Sequence, residues 1–243
     1  RFQNLFILLS SYLFYGLWDW RFLFLIIAST VIDFIVGQKI ATCNERKLKK
    51  RWLWLSVVFN LCLLGFFKYY NFFVESWVDF VSVMGYDIKS KWTLKIILPV
   101  GISFYTFQTM SYSLDVYYGR IKPSKDFLSF ATFVAFFPQL VAGPIERASN
   151  LLNQITNKRT FRYSQCTDGL KLILWGLFKK VVIADSIAPI VDDIFANYAA
   201  YPASTLILGV CLFSFQVYGD FSGYSDIAIG TAKLLGIELM SNF

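Results

Sequence analysis

Apolar runs alternate with short polar breaks along the chain, and their lengths set the first expectations. Residues 2–17 and 22–38 form two such runs around Trp18-Asp19-Trp20-Arg21, a third extends from about Trp52 to Tyr70, and the last runs from Leu206 to Gly236. A helix needs about 20 mostly apolar residues to cross a bilayer, so these runs predict membrane spans. Two tryptophans at a polar break are what a membrane interface attracts. From Phe73 the pattern changes: Phe73, Trp77, Phe80, Val81 and Met84 recur at helical spacing, with Glu75, Ser76, Asp79 and Ser82 on the other face. That segment is expected to lie in the outer interface rather than cross it. A further span is expected over about Leu94 to Tyr118, followed by an apolar run from Phe127 to Ile145. The fold class that follows is all-α, a polytopic integral membrane protein, with residues 1–243 forming a single transmembrane domain.

Composition supports that class. Hydrophobic residues make up 56% and charged residues only 16%, against about 25% charged in a soluble globular chain. The length leaves room for roughly six to eight spans. A net charge of +7 would suit nucleic acid if it were spread over a surface, but it is concentrated. Residues 39–51 carry Lys39, Arg46, Lys47, Lys49, Lys50 and Arg51 against Glu45. A basic loop between apolar runs is the positive-inside signature, which makes 39–51 cytoplasmic, the Trp18–Arg21 break external, and nucleic acid no partner. Cys43, Cys62, Cys166 and Cys211 show no CxxC spacing, so neither a disulfide framework nor a metal site is indicated. The chain contains no histidine, which excludes Ser-His-Asp and Cys-His chemistry and His-ligated zinc from these residues alone. It begins at Arg1 rather than Met and stops at Phe243 after a polar Ser-Asn pair, as expected of a piece of a longer chain.

Polar residues inside the apolar runs carry the candidate chemistry. Gln108, Ser111 and Asp115 follow at spacings of three and four and so share a helix face. The stripe either hydrogen-bonds a neighbouring helix or faces a water-filled cavity, with Asp115 near enough to the span end to reach the interface. Basic residues flank Phe127–Ile145 on both sides, Arg120, Lys122 and Lys125 before it and Arg147, Lys158, Arg159 and Arg162 after it. If both flanks are cytoplasmic, residues 127–145 enter and return without crossing. Pro138 and Gly143-Pro144 supply the breaks such a path needs. Broken backbone at membrane depth is tolerated where it is buried or lines a cavity, which makes Phe136–Pro144 a candidate pore or tunnel wall. A Pro-kinked helix that crosses fully is the other reading. Asp168 is expected to cap the next helix, and Pro189 to end or bend it. Lys179 and Lys180 either snorkel to headgroups or meet an anionic substrate group. The final run holds the densest polar group, Gln216, Asp220, Ser222, Tyr224, Ser225 and Asp226, punctuated by Gly219, Gly223 and Gly230. Intramembrane carboxylates must be paired or hydrated, and Asp220, less able to snorkel than Lys179, is expected to matter more.

Four blocks in one order carry a resemblance: ILPVGISFYTFQ at 97–108, FFPQLVAGPI at 136–145, GLFKKVVIAD at 176–185 and GDFSGYSDIAIG at 219–230. Together they resemble the membrane-bound O-acyltransferase family, most closely its bacterial alginate O-acetylation branch, which includes relatives acting on peptidoglycan. The resemblance covers nearly the whole chain. It implies a helical ring around a central tunnel with re-entrant broken helices, in a multi-pass protein of the bacterial inner membrane. It also implies O-acetylation of an exopolysaccharide or cell-wall glycan. Acetyl-CoA or another acyl thioester would donate from the cytoplasm, with no cofactor bound, and a periplasmic or extracellular partner protein or polysaccharide would accept. The family's buried histidine is expected just beyond Asn242-Phe243, so no catalytic residue is assigned and this chain alone is expected to be inactive. Tunnel-wall candidates are Pro138, Gln139, Gly143, Pro144, Asp220, Ser222, Tyr224 and Asp226, with Gln108 added from its helix stripe. D-alanyl transfer to teichoic acid by a related family member, or a membrane transporter or flippase, are the alternatives.

Overall fold

The computed structural model describes residues 1–85, 97–140, 143–144 and 146–242, and among them all regular structure is helical. The chain divides into two compact units: Arg1–Ala135 with Arg147–Ser149, and Phe136–Glu146 with Asn150–Phe243. Among the described residues, three continuous helical stretches are long and apolar enough to cross a membrane: Phe2–Thr42, Arg46–Val83 and Ala203–Leu234. The protein is therefore an all-α, polytopic membrane protein.

In the first unit, Phe2–Thr42 is two helices, α1 (Phe2–Asp19) and α2 (Leu23–Thr42), joined by a 3-10 turn at Trp20–Phe22. A straight helix of that length would run about 60 Å, twice the hydrocarbon thickness. The break falls at Asp19, where the backbone is extended and the carboxylate accepts from the Arg21 N–H at 3.0 Å and pairs with its guanidinium at 2.5 Å. This is the polar break expected from the Trp-Asp-Trp-Arg sequence. Helices α3 (Arg46–Leu64) and α4 (Tyr70–Val83) continue through a π-helical turn at Gly65–Tyr69. Helix α4 buries none of its residues, and Phe72, Phe73, Trp77 and Phe80 are all exposed. The expected span start at Leu94 lies outside the described residues; α5 occupies Ile102–Tyr117.

The apolar core of this unit encloses a polar network. Asp33 of α2 is fully buried, and its carboxylate accepts from Asn60 Nδ2 at 2.8 Å, from Ser113 Oγ at 2.9 Å and from Ser56 Oγ. Ser29 donates to Asn60 Oδ1 at 2.9 Å and lies 3.2 Å from Thr109 Oγ1, so α2, α3 and α5 share one hydrogen-bonded network. Gly37 leaves the space that the Tyr112 ring fills: a Cβ there would stand 2.7 Å from it. The Tyr112 hydroxyl in turn accepts from the Ser124 N–H at 3.0 Å, fixing the loop before α6 (Phe127–Val134). Asp126 caps α6, accepting from the Ser129 hydroxyl at 2.6 Å and its N–H at 3.2 Å. The Ser129 hydroxyl contributes most to holding the Asp126 carboxyl below the usual carboxylate range. That stabilisation is present above the ordinary carboxylate pKa and is lost as pH falls through the lowered one.

The second unit contains α7 (Phe137–Leu140), α8 (Ala148–Thr156), α9 (Tyr163–Leu177), a π-helical segment Phe178–Ala184, α10 (Asp185–Ala196) and α11 (Ala203–Leu234); the first two residues of α8 fall with the first unit. Helix α9 begins five residues before Asp168, so Asp168 is not its cap; it forms an i,i+3 pair with Lys171 at 3.7 Å. Pro189 does not end α10: it lies inside the helix, which runs on to Ala196.

Glycines weld α9 to α11. A Cβ on Gly176 would stand 2.6 Å from Gly223 O, and one on Gly169 2.7 Å from Gly230 O. The pairs are two helical turns apart on each helix and meet in opposite order, so the helices run antiparallel with backbones in contact. Overpacking ordinarily costs about 1–3 kcal/mol, and here the obstacle is backbone. Gly223→Val is expected to lower the thermal unfolding midpoint of the detergent-solubilised protein well below that of Gly65→Ala, whose new Cβ meets nothing within 4 Å. Equal midpoints for the two variants would refute the seam.

Candidate functional site

The densest polar group in the sequence becomes a charged ladder between α11 and the π segment. Lys179 Nζ lies 2.5 Å from Asp226 Oδ2 and donates to Ser222 Oγ at 2.5 Å. Lys180 Nζ lies 2.6 Å from both Asp185 Oδ1 and Asp220 Oδ1, and 5.6 Å from the centroid of the Tyr224 ring. The Trp175 ring flanks Lys179 at 5.9 Å. The widened π turn directs two adjacent lysines at different turns of α11. Glycine makes the approach possible: a Cβ on Gly219 would stand 3.2 Å from Lys179 O, and one on Gly223 3.2 Å from Lys180 N.

Lys179 is only 8% exposed, so it neither snorkels to headgroups nor waits for an anion. The expectation that Asp220 outweighs Lys179 rested on the lysine reaching the interface, and its burial against Asp226 removes that ground. Asp220 and Lys180 form the more open end, with side chains 33% and 24% exposed. The two ammonium groups face three carboxylates, all within bonding distance. Each lysine is already paired with carboxylate, so an anionic substrate group at either would compete with an aspartate for its charge.

The remaining candidates separate. Pro138, Gln139, Gly143 and Pro144 are buried in the second unit, and α7 packs against α11. Gly143 donates to Gln139 O at 3.2 Å, and a Cβ there would stand 2.6 Å from Gln139 Cα, so only glycine lets the chain fold back on α7. Val141, Ala142 and Ile145 of that block lie outside the described residues. Gln108 belongs to the first unit, where its Nε2 donates to Phe133 O at 2.8 Å and satisfies a carbonyl in the last turn of α6. In the same stripe Ser111 bonds back to Gln108 O, and Asp115 pairs with Arg120 at 3.3 Å at the end of α5.

Three groups escaped the sequence reading. Asp33 is an intramembrane carboxylate whose partners sit on two other helices, 23 to 80 residues along the chain; Ser29, Asp33 and Gly37 at four-residue steps were the available signal. Glu146, 1% exposed, accepts from the Met240 N–H and from Asn150 Nδ2 at 2.8 Å, tying the segment after α11 to α8. Lys179 and Lys180 were visible as residues, but not as partners of Asp226 and Asp220.

The chain is 41% identical to a probable alginate O-acetylase of Azotobacter vinelandii over 244 residues, covering 100% of this chain and 48% of that protein. It is 35% identical to a peptidoglycan O-acetyltransferase of Helicobacter pylori over 268 residues, covering 100% of this chain and 50% of that protein. The chain belongs to the membrane-bound O-acyltransferase family. A teichoic acid D-alanyltransferase of Bacillus subtilis is 25% identical over 152 residues, 59% of this chain and 37% of that protein. No family model matches the chain. The chain spans about half the length of the O-acetylating relatives it matches.

In this member of the family the ladder is a structural commitment. Removing one partner of a buried ion pair costs about 3–5 kcal/mol, whereas replacing both by apolar residues costs far less. Lys179→Met and Asp226→Leu should each sharply lower the unfolding midpoint in detergent, while the double variant recovers much of the loss. Strictly additive losses would show that the two side chains do not depend on each other.

Proposed function

We propose that the protein is an integral-membrane O-acyltransferase that serves the O-acetylation of an exopolysaccharide of the alginate type or of a cell-wall glycan. The observation that carries this reading is similarity along the entire chain to two O-acetylating proteins whose names give different glycans, alginate and peptidoglycan. The shared element is then acyl transfer at a membrane, with the acceptor varying. D-alanyl transfer is less favoured, because the teichoic acid relatives are only 24–25% identical over 59–77% of the chain. No observation favours a transporter.

In the proposed reaction the acceptor hydroxyl oxygen attacks the thioester carbonyl carbon, the C–S bond breaks, and the hydroxyl proton passes through a general base to the departing thiolate. The chain has no histidine, and we place the base on a histidine outside these residues. The chain's own part is the wall: α7 and the fold-back at Gly143 as the broken segment, and the Lys179–Asp226 and Lys180–Asp220 pairs as rigid posts beside it. A donor thioester would approach from the cytoplasmic side, where the basic residues 39–51 place that face, and the acceptor from the periplasmic side of the inner membrane.

The test is expression of the complete gene product in a bacterium deleted for its own O-acetylase, with ester-linked acetyl on surface polysaccharide measured by NMR. Acetyl ester is expected from the complete product and none from the 243-residue chain alone. D-alanyl ester in its place, or no ester at matched membrane abundance, would overturn the reading.

A further inference from the structure

Away from the lysine ladder, the second unit holds a second concentration of charge, at the junction of α8 and α9. A cavity of about 260 Å³ is lined there by Lys158, Arg159, Arg162, Gln165, Gly236 and Glu238 among others. Three cations and one carboxylate give its wall a formal charge of +2. Among the described residues neither Lys158 nor Arg162 makes an ion pair, whereas the lysines of the ladder all do.

The cavity is built rather than incidental. Arg159, 9% exposed, is held in its wall by hydrogen bonds from Nη1 to Ile155 O at 3.2 Å and Gln154 O at 3.5 Å, the carbonyl end of α8. Its stem lies along Gly236, where φ is +74° and a Cβ would stand 3.3 Å from Arg159 Cβ. The floor is clamped by a reciprocal pair: Gln154 Nε2 donates to Glu238 O and Glu238 N–H donates to Gln154 Oε1, both at 2.8 Å. Helix α9, fifteen residues long, opens on the same cavity with Gln165 in its first turn and no side-chain cap at Arg162. Burial lowers the proton affinity of Arg159, a desolvation that a bound anion would offset.

Guanidinium groups recognise phosphate through paired N–H donors, and the positive end of a helix adds to the attraction. The volume is slightly below the range of about 300–1,000 Å³ for drug-sized ligands, which suits a phosphate or pyrophosphate group rather than a sugar chain. We propose that the α8–α9 cavity is a phosphate-binding site. It holds a phosphate or pyrophosphate group that reaches it either from a soluble ligand or from an anionic lipid headgroup. The assignment does not depend on the acyl-transfer reading.

Inorganic pyrophosphate is the probe, titrated by calorimetry into the purified protein in nanodiscs of phosphatidylcholine. Saturable binding is expected, weakened at least tenfold by Lys158→Gln with Arg162→Gln and unchanged by Lys47→Gln in the 39–51 loop. Lys158 and Arg162 are exposed, so the double variant should fold, and an unchanged unfolding midpoint checks this. A second variant, Arg162→Glu, should abolish binding. Repeating the titration in nanodiscs containing phosphatidylglycerol separates the sources. Competition by the lipid assigns the group to a headgroup, and undiminished pyrophosphate affinity assigns it to a soluble ligand. Absence of binding in phosphatidylcholine, or equal affinity of parent and double variant, overturns the proposal.

Discussion

Hydrocarbon offers no hydrogen bonds, so each polar group at membrane depth must find its partner inside the protein, at a cost of several kcal/mol if it fails. This chain meets the constraint in two different ways. In the first unit a buried carboxylate on α2, Asp33, is surrounded by neutral donors from α3 and α5. In the second, buried charge is matched with charge, Lys179 against Asp226, and a serine hydroxyl completes the lysine's shell. Both solutions fix the helices that supply them, because moving either helix strands a donor or a charge. The polar groups therefore specify the packing that surrounds them.

Ion pairing at this depth also needs close approach, and the glycine seam provides it. Reciprocal contacts of Gly169 with Gly230 and of Gly176 with Gly223 bring α9 and α11 backbone to backbone. The π turn that follows then presents Lys179 and Lys180 at adjacent turns of α11 rather than on diverging faces. Small residues, helix widening and charge are one device: without the seam the lysine backbone could not lie against Gly219 and Gly223. The same economy appears at Gly143, where the chain folds back onto Gln139, and at Gly37, which makes room for Tyr112.

Much of this was legible along the chain. The apolar runs marked the helices, the Trp-Asp-Trp-Arg break marked the bend at Asp19, and Asp220, Ser222 and Asp226 stood out as carboxylates and a hydroxyl in an apolar stretch. Their partners did not stand out. Lys179 resembles a snorkelling lysine at the end of a run, and only its distance from Asp226, 47 residues on, distinguishes the two cases. Gln108 and Asp115 share a helix face, yet one caps a broken helix and the other pairs with Arg120, since spacing fixes direction but not what lies opposite. Asp168 looked like a cap because an acidic residue precedes an apolar run, but α9 starts earlier, through residues whose polarity gives no helical period.

By itself the sequence determined the solvent in which this protein folds, its helical class and the positions at which polar groups must be reconciled with lipid. Those follow from composition and period, which are local properties. Tertiary structure decided which groups are reconciled with which: Asp33 with neutral donors, Asp226 with Lys179, Asp220 with Lys180, Glu146 with the backbone beyond α11. Such pairings join residues far apart in the chain, and their energies depend on distances of a few tenths of an ångström and on burial, neither of which any stretch of sequence encodes alone.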